Sequence, residues 1–145
     1  MSGLAETLKG LVADLVTLKF RAHGYHWNVE GRDFTQYHDL FGSIYSDIDD
    51  SIDPMAENVR KLQDYVPYKL SRFVELSVLD DTNITSSASN MASDLLQANE
   101  IVIGQLMDAF DQANEENQQG VANFIAERID AHQKWSWQLR ASLHA

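Results

Sequence analysis

Apolar residues recur along this chain at alternating intervals of four and three. In the first segment they are Leu4, Leu8, Leu11, Leu15, Leu18, Ala22 and Tyr25. In the second they are Phe34, Phe41, Tyr45, Ile48, Ile52, Met55, Val59 and Leu62, with His38 on the same stripe. Each set marks one face of a long amphipathic helix. The turn-forming group Asn28-Val29-Glu30-Gly31 separates the two, and Asp33 followed by Gln36 predicts a capping box at the second start. From 63 to 84 the pattern lapses. Leu70 to Leu76, after Pro67, suggests one short helix, and Asp80-Asp81-Thr82-Asn83 predicts a loop. A third helix is expected from about Ser86 to Ala113, with Met91, Leu95, Ala98, Val102, Leu106 and Phe110 inward. The polar run Asn114 to Gln119 predicts a short turn. A fourth helix then carries Val121, Ile125, Ile129, His132, Leu139 and Leu143 inward. No strand pattern and no repeat interrupts this order. The expectation is an all-α chain: a four-helix bundle with a long crossover carrying a short helix between its second and third helices.

Composition narrows the chemistry. The 145 residues fit one domain spanning 1–145, and 44% hydrophobic content supports a packed core. With no cysteine, disulfides, thiolate metal sites and cysteine nucleophiles are excluded. Glu6 and Lys9 interrupt the start, which does not read as a signal peptide, so a cytoplasmic location is expected. No run approaches about 18 apolar residues, so no membrane partner is expected. The formal net charge of −11, with scattered basic residues, opposes phosphate binding and favours cations.

Candidate ligands cluster in two places. His23, His26 and Trp27 end the first helix, and His38 opens the second; Asp49, Asp50, Asp53 and Glu57 lie further along that second helix. Asp53 and Glu57 are one turn apart and share a face. His38 and Asp53 are fifteen positions apart, roughly 22 Å along a helix. If His38 and the carboxylates share one metal, the carboxylates must come from a second copy of the chain, across a two-fold interface of antiparallel helices. Asp53 before Pro54 could instead cap a new helix, but the apolar stripe continues in phase through Ile52, Met55 and Val59.

The run His23-Gly-Tyr-His26-Trp27-Asn-Val-Glu-Gly31, His38, Asp53-x-x-x-Glu57 and the terminal His132-Gln-Lys-Trp-Ser-Trp137 closely resemble the Dps family, the ferritin-like miniferritins. The similarity extends over about residues 4 to 143. It implies a ferritin-like bundle and a hollow homododecamer that oxidises Fe(II) with hydrogen peroxide or dioxygen. Such a shell stores Fe(III) mineral and protects DNA from oxidative damage. It also implies His26 and His38 as metal ligands from one subunit and Asp53 and Glu57 from the other, with Zn(II) or Mn(II) as further metals this donor set suits. His23 and Trp27 would stand behind the ligands, Trp27 read mainly as packing. Glu127 and Asp130 become candidates for acidic iron-entry pores. Two rival readings follow: a nucleoid-packing DNA-binding protein, which the acidic charge disfavours, and a metal-binding shell with weakened ferroxidase activity.

The chain departs from the family pattern at three places. An acid usually lies four residues after the second histidine, and here that residue is Gly42. An arginine usually follows the glutamate, and here it is Asn58. Pro54 removes a backbone N–H and is expected to kink or open its helix. In an antiparallel pair that seats His38 against Asp53 or Glu57, Gly42 faces partner positions from about 49 to 53. Asp49, or else Asp50, is therefore expected to supply the missing charge, and an aspartate placed at position 42 to restore it.

Overall fold

The stripes become helices at nearly the expected places in the computed structural model, which describes residues 3–81 and 87–144. In chain order they are α1 (Gly3–Asn28), α2 (Phe34–Lys61), the short α3 (Leu70–Leu76), α4 (Ala88–Glu115) and α5 (Gln119–Leu143). The four long helices form the bundle: α1 packs on α2, α4 on α5 and α1 on α4, while α3 lies against α1 within the crossover. The inward stripes meet in one core, with Leu8, Leu15, Phe41, Ile48, Met55, Leu95, Leu106 and Ile125 all buried. No strand occurs among the described residues, only an isolated bridge between Glu30 and Ser87.

Four details differ from expectation. Asp33 sits at φ −104°, ψ 31° and caps nothing with its side chain. A capping side chain needs extended backbone at that position. Here a backbone turn through Gly31, at φ 114°, does the work, with the Phe34 N–H donating to the Gly31 carbonyl. Pro54 does not interrupt α2, which runs on to Lys61. Its one missing N–H is outweighed by burial of Ser51, Met55, Asn58 and Val59 on either side. Asp53 is therefore a mid-helix residue and not a cap. At the far end, the turn shrinks to Glu116–Gln118, because Asn117 takes the left-handed conformation at φ 58° and closes α4 directly. Ser87, unnoticed in the sequence, caps α4 by accepting from the Asn90 N–H at 3.2 Å. The expected start at Ser86, and Thr82 and Asn83 of the predicted loop, lie outside the described residues.

Two polar groups tie the frame together. Asp14 on α1 is buried, yet accepts from Ser77 Oγ at 3.0 Å and the Val78 N–H at 2.9 Å. It thereby anchors the crossover. Burial pushes its carboxyl up against the pull of those donors. On the opposite side Arg128 of α5 donates to both Asp47 oxygens, at 3.1 and 2.9 Å, and Trp135 Nε1 donates to the same carboxylate at 2.7 Å. Burial opposes the Asp47 charge, but the Arg128 and Trp135 bonds win and hold its pKa low. A second Arg128 contact donates to His132 Nε2 at 3.0 Å, so His132 carries its proton on Nδ1 and donates it to Asn99 Oδ1 at 2.8 Å. His132 is thus the structural, inward histidine its stripe implied.

Burial foremost, then the Arg128 cation, depresses the His132 pKa from 6.5 to about 3. The unfolded chain takes that proton near 6.5, so acid favours unfolding between those two values. The His132 contribution is whole above pH 6.5 and is lost as pH falls towards 3. Urea midpoints at fixed subunit concentration are expected to fall across that range, with a shallower slope in His132→Gln. Asp47→Ala, which strands the buried Arg128, is expected to cost about 3 kcal/mol at pH 7.

Candidate metal centre

The C-terminal turn of α1 lies beside the first turns of α2, and this brings His26 and His38 together. Their rings stack at 3.8 Å between centroids, 16° from parallel. Each imidazole bonds the other residue's backbone: His26 Nδ1 donates to the His38 carbonyl and His38 Nδ1 to the His26 carbonyl, both at 2.7 Å. The His26 carbonyl belongs to the last turn of α1, where helix geometry leaves it no partner of its own. A carbonyl can only accept, so both Nδ1 atoms carry hydrogen. In an uncharged ring this leaves the lone pair on Nε2, the tautomer that ligation through Nε2 requires.

An aromatic column supports the pair. Phe34 stacks on His38 at 5.0 Å, and Tyr45 meets His26 at 5.3 Å. His23 stacks flat on Tyr45 at 3.8 Å, and Trp27 covers His23 at 3.9 Å. Trp27 is 61% exposed and contacts His23 rather than either candidate ligand. His23 Nδ1 is buried without a hydrogen-bond partner. Its pKa is lowered, first by burial and then by Lys19 and His26, with Asp49 opposing.

The other candidates stand apart. Asp53 and Glu57 are exposed on α2, about four turns beyond His38. Among the described residues no group of three or more His, Asp or Glu gathers around one point. Asp49 and Asp50 are also exposed, and Asp49 lies 3.9 Å from Lys19 of the same chain. Glu127 and Asp130 are exposed on α5, Trp135 is buried in the polar network, and Trp137 is exposed. Gly42 is where the structure adds most, because the His26 ring occupies the space a side chain there would need. An aspartate at 42 therefore cannot simply restore a charge. The signal was present as a histidine and a glycine one helical turn apart, but nothing in that spacing reveals what lies against the glycine.

A family model described as Ferritin-like domain matches residues 5–145. A DNA protection during starvation protein of Helicobacter pylori is 27% identical over 139 residues, covering 95% of this chain and 96% of the relative. The crystal structure of a Dps protein from Bacillus brevis aligns with a TM-score of 0.93 at 28% identity, over 97% of this chain and 95% of that one. This chain belongs to the Dps family of ferritin-like proteins. A Dps protein from Vibrio cholerae, described as a member of the ferritin-like diiron-carboxylate superfamily, aligns at 26% identity with a TM-score of 0.93, over 97% of this chain and 89% of that one. A low temperature-induced protein of Nostoc sp., itself uncharacterised, is 32% identical over 141 residues, 96% of this Dps chain and 79% of its own length.

The orphaned His23 nitrogen makes a prediction about this Dps protein's stability. His23→Phe keeps the stack between Tyr45 and Trp27 and removes a buried polar atom. It is expected to raise stability by about 1 kcal/mol, read as a higher thermal midpoint; a lower midpoint would show that Nδ1 has a partner in the assembled protein.

Proposed function

We propose that this chain is a miniferritin subunit whose substrate is Fe(II), oxidised by hydrogen peroxide or dioxygen at sites shared between two copies and stored as ferric mineral within a dodecamer. One observation carries the reading: a reciprocal histidine pair with both Nε2 atoms free, on a chain whose candidate carboxylates, Asp53 and Glu57, point to solvent elsewhere. Imidazole with carboxylate suits Fe(II), and equally Zn(II) or Mn(II). Two imidazole donors can serve two ions. That matches the electron count, since two Fe(II) each give up one electron to one peroxide. The O–O bond breaks, two protons are taken up, and two waters and two Fe(III) result. Asp49, or Asp50, of the second copy is proposed to add negative charge near Gly42, and Glu127 and Asp130 to line an entry pore.

Exposed apolar side chains favour assembly. Phe20, Leu70 and Val74 border an open groove of about 400 Å³ between α1 and α3. Such surface is costly to leave in water. No helix among the described residues is long and apolar enough to cross a membrane, and the family setting supports a cytoplasmic shell.

A mixing experiment tests the shared site. A chain carrying His26→Ala and His38→Ala, and another carrying Asp53→Ala and Glu57→Ala, are each expected to bind little zinc alone. Unfolded together and refolded, mixed pairs regain one of their two sites, visible by calorimetry. No recovery in properly assembled mixtures would mean that the two halves do not cooperate across copies. Stopped-flow absorbance of Fe(II) with peroxide separates a ferroxidase from a shell that only binds metal.

The protection of DNA is proposed to come from removing Fe(II) and peroxide rather than from contact. With a net charge of −11, affinity for DNA is expected to be weak at physiological salt. Tight binding without magnesium in a gel-shift titration would contradict this and favour the nucleoid-packing reading.

A further inference from the structure

We propose that Gly42 is a positioning residue of the metal centre: its missing side chain is what lets the His26 ring reach the His38 carbonyl, and so sets both imidazoles with Nε2 free. The inference rests on the metal-binding reading above and adds a residue that touches no ligand atom of the metal. Glycine inside a helix is unfavourable by roughly 0.5–1 kcal/mol relative to alanine, and position 42 is well inside α2. Backbone conformation does not call for it, since Gly31 is the one glycine with positive φ among the described residues.

Close approach does call for it. A Cβ at position 42 would stand 2.9 Å from His26 Nδ1 and 3.0 Å from Cε1. At helix positions 10, 24, 104 and 120 an added Cβ would meet nothing within 4 Å. The cause is helix geometry. The N–H of residue 42 points at the carbonyl of residue 38 within the same helix. Any outside donor reaching that carbonyl must lie against residue 42. His26 Nδ1 is that donor, at 2.7 Å. The ring cannot retreat freely, because it is stacked on His38 at 3.8 Å. A side chain at 42 therefore breaks the bond that fixes the His26 tautomer and unseats its partner.

The test uses the full-length chain, assembled, with zinc as a redox-silent probe. In metal-free protein labelled with ¹⁵N-histidine, the wild type is expected to show His26 and His38 protonated at Nδ1. Gly42→Ala, which favours the helix, is expected to keep helix content and assembly but to lose that tautomer signature at His26. Its zinc affinity is expected to fall at least about tenfold. Gly42→Asp is expected to bind no better than Gly42→Ala despite its added carboxylate. In a His26→Ala background, Gly42→Ala is expected to have no further effect on zinc. An unchanged tautomer and affinity in Gly42→Ala overturns the proposal, as does tighter binding in Gly42→Asp or a full additional loss in the double variant. If wild-type protein binds no zinc, the metal-binding reading fails, while the tautomer comparison still decides the role of Gly42.

Discussion

Arg128 can be buried only because Asp47 meets it, and that pair sets how α5 sits against α2. A guanidinium without a partner in a helical core would cost several kcal/mol, so sliding α2 along α5 is resisted by a charge as well as by packing. Trp135, His132, Asn99 and Ser136 extend the same polar knot into α4 and α5. α2 is thereby held on one side by Asp47. On its other side it carries His38, Gly42 and Tyr45 towards α1. The fixed helix is the platform on which the histidine pair is built.

The pair is built as the knot is: most polar groups away from water are paired, and pairing dictates chemistry. Here the pairing runs between side chain and main chain of two helices. Each imidazole spends its Nδ1 hydrogen on a carbonyl of its neighbour, so orientation and protonation are decided together. The aromatic column from Phe34 to Trp27 then holds the rings in place by stacking.

Much of this was legible along the chain. The four-and-three periodicity placed α1 and α2 nearly to the residue, because a buried stripe leaves little freedom in helix phase. The spacing of His26, His38, Asp53 and Glu57 was also legible, as was its consequence that the histidines and the carboxylates stand apart within one chain. What escaped is what depends on contact between distant segments. Asp33 carries the residue type of a cap without the backbone to make it. Asp47 and Arg128 drew no notice in the sequence, because residues 81 positions apart give no local sign that they meet. Gly42 looked like a subtraction, since only the neighbouring helix shows what fills the space.

The contact at Gly42 has an evolutionary corollary. Replacing glycine by alanine ranks among the gentlest exchanges by size, and in a helix it would ordinarily be an improvement. Here neither partner of the contact is free to drift alone. An acid entering at 42 meets a ring already in place, and the ring can move aside only by surrendering its bond to the carbonyl beneath it. The two positions are coupled: His26 keeps its present seat only while position 42 carries no side chain. Room for a ring and room for an acid compete at this position, and in this chain the ring has it.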